Sequence, residues 1–162
     1  FSTPVSDCFV GDQDSALREL DIRHVEYVLV GGVALNLHGI IRATEDIDLF
    51  IQPEGANVER LKNALRAIWS DPSIDDIEVT DFLGEYPIIR YGPPHEDFVI
   101  DLMSKPGTEI NYDDLAAEVM ELEGVRIRLA TPTTLYNMKK STVRPIDKAD
   151  AMEKYGLIPR ET

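Results

Sequence analysis

The sequence predicts an α/β fold, and three observations carry that reading. Helical and strand-like hydrophobic patterns alternate along 162 residues. One stretch, Tyr27–Ile51, reads as strand, glycine turn, short helix, polar link and strand. Hydrophobic residues make up 43% of the chain, enough to fill a core, and the length suits one domain spanning residues 1–162.

Asp12–Leu20 is expected as a first helix, capped by Asp12 or Asp14, with Ala16, Leu17 and Leu20 at helical spacing. It leads into a strand from about Val25 that includes the β-rich run Tyr27–Val30. Gly31-Gly32 turns the chain into a short helix over Val33–His38, and Arg42–Glu45 forms a polar link. Ile47, Leu49, Phe50 and Ile51 mark a second strand. Pro53 and Glu54 start a helix running to about Trp69, with Val58, Leu61, Leu65, Ile68 and Trp69 on its apolar stripe; Asp71-Pro72 stops it. Ile74–Phe82 reads as a short edge strand, Pro87–Tyr91 and Phe98–Met103 as further strands. A helix is expected over Leu115–Met120, capped by Asn111 or Asp113. Val125–Leu129 alternates apolar and basic residues, as a strand with one wet face does. Thr131-Pro132 then opens a helix with a cap and a proline at its first position. A last helix over Pro145–Tyr155 ends at Gly156; the C-terminal helices pack on the domain, and the first ten or so residues are irregular.

Asp46 and Asp48 interrupt the second strand. Residues i and i+2 of a strand share a face, so the two carboxylates sit side by side while Ile47 and Leu49 face the core. Like charges at that spacing raise one another's pKa. A fold keeps them cheaply at a solvated strand end or around a cation. Adjacent carboxylates suit Mg²⁺, a hard ion that shares its oxygen ligands with substrate phosphates. Glycines at a strand-to-helix turn let a ligand approach the backbone, and the N–H groups of the helix they open can hold phosphate oxygens. Asp101 lies inside the apolar run Phe98-Val99-Ile100-Asp101-Leu102-Met103, where an unpaired charge is costly.

Val30-Gly31-Gly32, thirteen further residues and Asp46-Ile47-Asp48-Leu49 together resemble the signature of the DNA polymerase β nucleotidyltransferase superfamily. The local form Arg42-Ala43-Thr44-Glu45-Asp46-Ile47-Asp48 resembles its minimal bacterial branch, which includes the abortive-infection (AbiE-type) toxins. The resemblance spans about Tyr27–Gly156. It implies a nucleotidyltransferase fold, a mixed central sheet flanked by helices. It implies Asp46, Asp48 and Asp101 as catalytic residues and metal ligands for two Mg²⁺ or Mn²⁺ ions. An NTP would be the donor, and a nucleoside monophosphate would pass to a hydroxyl with release of pyrophosphate. Gly31, Gly32, Arg42, Thr44, one of the adjacent Lys139 and Lys140, and Arg144 would contact the nucleotide. Arg42 equally suits a surface position and Thr44 a turn. Arg144, Asp147 and Asp150 match a tail motif of the branch, whereas Ile146 stands where that motif often has lysine.

The acceptor is left open between RNA, a small hydroxyl compound and a protein side chain. A cognate antitoxin or other partner protein is a further expectation, and a non-catalytic nucleotide-binding relative is the rival reading. Net charge is −14, which opposes broad nucleic-acid binding. The basic residues are concentrated, however: Gly124–Lys148 holds Arg126, Arg128, Lys139, Lys140, Arg144 and Lys148 against Asp147 alone. A basic face on an acidic body is compatible with gripping a triphosphate or a small part of an RNA. The single cysteine, Cys8, excludes an intrachain disulfide and a multi-cysteine zinc site. No apolar run approaches the ~20 residues that span a membrane, and no secretory signal is visible. A cytoplasmic protein is expected.

Overall fold

The computed structural model describes residues 9, 11–39, 46–83, 88–104 and 112–141. Among the described residues six strands are formed: β1 (Tyr27–Val30), β2 (Ile47–Ile51), β3 (Ile88–Tyr91), β4 (Ile100–Met103), β5 (Ala117–Leu122) and β6 (Val125–Ala130). They make one sheet in the order β3-β4-β2-β1-β6-β5. The β1–β2, β3–β4 and β5–β6 pairs are antiparallel, and the β2–β4 and β1–β6 pairs are parallel. The sheet is therefore mixed, as expected.

Among the described residues four α-helices accompany it: α1 (Gln13–Ile22), α2 (Gly31–Leu37), α3 (Gly55–Arg66) and α4 (Pro132–Ser141). Every residue of β1 is buried, so both faces of the central sheet are covered. α1 packs against α3 and β6 through Ala16, Leu17 and Leu20, and α3 contributes Val58, Leu61, Ala64 and Leu65 to the core. α3 ends at Arg66, three residues before the expected Trp69, which is nonetheless buried between Tyr91 and Phe98. Asn57 fastens α3 to the sheet. Its Oδ1 accepts from the Glu26 N–H (2.7 Å) and its Nδ2 donates to the Glu26 and Gln52 carbonyls (both 2.9 Å). α4 opens as its sequence indicates: Thr131 Oγ1 accepts from the Thr134 N–H at 3.2 Å, and Pro132 occupies the first helical position.

Two expectations fail. Residues 74–82 form no strand; they form 3-10 helices over Pro72–Asp76 and Val79–Phe82. Acidic side chains capture local backbone N–H groups there: Asp71 accepts from Ser73, and Glu78 and Asp81 form a reciprocal capping box. Ile74, Ile77 and Phe82 are buried in the core and Val79 packs partly buried against it. The helix expected over Leu115–Met120 is replaced by a short 3-10 helix over Tyr112–Asp114 and by the edge strand β5. Glu123 (φ 52°) and Gly124 (φ 81°) both lie in the left-handed region between paired Leu122 and Val125. That is the geometry of a two-residue hairpin, and it fixes β5 against β6 despite the helix-favouring Ala116-Ala117-Glu118. The polar link Arg42–Glu45, the turn at Lys105-Pro106-Gly107 and the helix over Pro145–Tyr155 lie outside the described residues.

Candidate active site

The strand register builds the site. Val30 pairs with Asp48, Asp48 with Asp101, and Asp101 with Arg90. Directly paired residues share a sheet face, so one row crosses four strands: Val30 on β1, Asp48 on β2, Asp101 on β4 and Arg90 on β3. Neighbouring strands lie about 4.8 Å apart, which brings the two aspartates face to face. Asp101 across the sheet therefore acts on Asp48 more strongly than Asp46 does along the strand. Ile47 and Leu49 point into the core on the other face, 0% and 2% exposed.

Asp48 bears the electrostatic cost. Burial, then the charge of Asp101, a hydrogen bond with Asp101 and the charge of Asp46 push its pKa from 3.8 up to about 7. The Asp48 carboxyl is therefore partly protonated near neutrality. Asp46 lies at the mouth of β2, where its Oδ1 accepts from the Val99 N–H at 3.3 Å. Asp101 is held from its other side by Arg90. Nε donates to Oδ1 at 3.0 Å and Nη2 to Oδ2 at 3.3 Å. The Asp101 side chain is 15% exposed and that of Arg90 67%.

Gly31 explains why the glycine turn and the aspartates occur together. Its φ is 74°, a conformation that side chains disfavour, and a Cβ added there would fall on Asp48 Oδ2. Its missing side chain is the space that the Asp48 carboxylate occupies. Gly32 follows in the first turn of α2; both glycines are half-exposed. His38, at the other end of α2, bonds the Ala130 carbonyl at 2.8 Å through Nε2 and ties the helix to β6.

The remaining expected residues are not brought to this row by the described structure. Arg42, Thr44 and Arg144 lie outside the described residues, as do the side chains of Lys139 and Lys140 on α4. Arg90 is the site residue that sequence reasoning missed. The available signal was a lone arginine in the apolar run Ile88–Tyr91, and only the β3–β4 register gives it a partner.

Among the described residues, no group of three or more His, Cys, Asp or Glu side chains is arranged as a metal cage. The donor chemistry nevertheless fits a divalent ion. Two carboxylates face one another, the pKa of Asp48 is raised by burial and then by the charge of Asp101, and a hard cation would offset that charge. Mg²⁺ characteristically takes one or two protein carboxylates and completes its shell with water and phosphate.

Comparison with known proteins places this geometry in a family. The family model described as nucleotidyl transferase AbiEii toxin, type IV toxin–antitoxin system, matches residues 16–148. Among curated proteins, none matches the sequence. A solved structure, an antigenic nucleotidyltransferase-like protein from Paracoccidioides brasiliensis, is similar with a TM-score of 0.48 and 15% identity. The similarity covers 91% of this chain and 75% of that one. The family match takes in every strand, Asp46, Asp48, Arg90 and Asp101: the chain belongs to the AbiEii nucleotidyl transferase toxin family and is a nucleotidyltransferase.

Proposed function

We propose that the protein transfers a nucleoside monophosphate from an NTP to an acceptor hydroxyl, with release of pyrophosphate, and that Asp48 and Asp101 are the centre of the reaction. The observation that carries this is the in-register facing of Asp48 and Asp101 on adjacent strands, with Gly31 leaving room for the Asp48 carboxylate. Asp48 and Asp101, with Asp46 beside them, would hold divalent metal, Mg²⁺ or Mn²⁺. Bound metal supplies Lewis-acid stabilisation of the attacking and leaving oxygens. Asp101 takes the acceptor's proton. Gly31 and Gly32 leave the backbone open to the nucleotide, and Arg42, Thr44, Lys139 or Lys140, and Arg144 contact its phosphates.

RNA is the favoured acceptor. The basic concentration over Gly124–Lys148 and the exposed Arg126 and Arg128 on β6 support it. A small hydroxyl compound or a protein side chain is the alternative. The protein acts in the cytoplasm, restrained by a cognate antitoxin; no helix among the described residues is long and apolar enough to cross a membrane.

The test is pyrophosphate release from each NTP with Mg²⁺, screened against RNA, protein and small alcohols. Transfer is expected to need metal and acceptor and to vanish in Asp48→Asn. Transfer that persists in excess chelator, or in Asp48→Asn, sinks the reading.

A further inference from the structure

Asp101 is gripped by Arg90 on the side away from Asp48, and that contact has a consequence for catalysis beyond charge balance. A carboxylate offers about four lone-pair sites. The Arg90 fork, Nε on Oδ1 and Nη2 on Oδ2, takes one on each oxygen. On its other side Asp101 hydrogen-bonds the Asp48 side chain. The arrangement is built by tertiary structure: edge strand β3 runs antiparallel to β4 so that Arg90 falls opposite Asp101. An ion pair with one partner 67% exposed contributes little to stability, so stability is a weak reason for it. Orientation is a strong one. A planar two-point contact fixes the carboxylate plane, which the single point charge of lysine cannot do.

We infer that Arg90 is a positioning residue for nucleotidyl transfer: its guanidinium fork sets the plane of the Asp101 carboxylate, and so aims the free lone pairs at the reacting groups beside Asp48. The inference rests on the proposed function. It adds a residue outside both the glycine turn and the aspartate motif. A misaimed carboxylate harms the transition state more than nucleotide binding, so the effect belongs in kcat.

Two measurements test it. In steady-state transfer with saturating Mg²⁺, Arg90→Lys keeps the charge and loses the fork; kcat is expected to fall by roughly tenfold, with KM for the NTP changed less than about twofold. Arg90→Ala is expected to lose at least as much. In thermal melts in chelator, Arg90→Ala is expected to lower the melting temperature by about 1–3 °C in the parent and by nothing in an Asp101→Asn background. Wild-type kcat in Arg90→Lys would overturn the inference, because the fork would then carry nothing. A raised KM with retained kcat would also overturn it and make Arg90 a phosphate contact. Equal melting losses in both backgrounds would show that the pair does not form. A parent protein that transfers nothing to any acceptor defeats the proposed function itself, and Arg90's role with it. The melts would still report whether Arg90 and Asp101 pair, so the two failures are distinguishable.

Discussion

Replacing Asp48 with asparagine should stabilise the metal-free protein, and by an amount that depends on pH. The carboxyl has a pKa of 3.8 in an unperturbed chain and about 7 in the fold. Because the folded value is the higher one, the contribution to stability is full below 3.8, declines as pH rises, and is lost above about 7. Each unit corresponds to about 1.4 kcal/mol, so ionised Asp48 costs the apo fold up to about 4 kcal/mol near pH 8. Near pH 5.5 about half of that cost remains, by the same linkage. Asparagine keeps the size, and its Nδ2 can donate to Asp101 in place of the Asp48 carboxyl. With roughly 2–4 °C per kcal/mol for a chain of this length, Asp48→Asn is expected to melt up to about 16 °C above the parent at pH 8 in chelator. The gap should roughly halve near pH 5.5; lower values approach the pI of about 4.5, where net charge vanishes. Excess Mg²⁺ should narrow the gap and, at high saturation, close it. An ion bound only by the folded state adds about 2.7 kcal/mol to the parent at about a hundred times its Kd and about 4.1 kcal/mol at about a thousand times, and the mutant gains less. Calorimetric melts of both proteins, at both pH values, with chelator and with Mg²⁺, make the comparison. An apo mutant that melts below the parent at pH 8, by a margin independent of pH, would refute the reasoning and make Asp48 an ordinary structural residue.

Other outcomes follow from individual contacts. Gly31→Ala is expected to cost about 2–4 kcal/mol, from the strained positive φ and from displacement of the Asp48 carboxylate, measurable by urea titration; a neutral result would remove the account of the glycine turn. Asn57→Leu leaves the Glu26 N–H and the Gln52 carbonyl without their side-chain partner, and should lower stability by about 2–3 kcal/mol in the same assay while KM for the NTP stays constant. Arg144→Ala should raise KM for the NTP more than it lowers kcat, as expected for a phosphate contact; unchanged nucleotide affinity by calorimetry would remove Arg144 from the site.

Local pattern made much of this protein legible. The run Tyr27–Val30, the glycine turn and the run Ile47–Ile51 each announce their element within a few residues, because burial on a strand and φ at a turn are local demands. The Thr131-Pro132 helix start and the apolar stripe of α3 are legible for the same reason. The spacing of Gly31-Gly32, Asp46 and Asp48 identified the family, and the lone charge of Asp101 marked it as needing a partner. Tertiary structure decided which partner. Register between separate strands leaves no trace in local periodicity, yet it sets Asp48 against Asp101 and Asp101 against Arg90. It also overrode the helix propensity of residues 115–120, since a left-handed two-residue turn at Glu123-Gly124 presents β5 to a waiting β6. Gly31 belongs to both levels: the turn explains a glycine there, but only the packed structure reveals that the space of its missing side chain holds the Asp48 carboxylate.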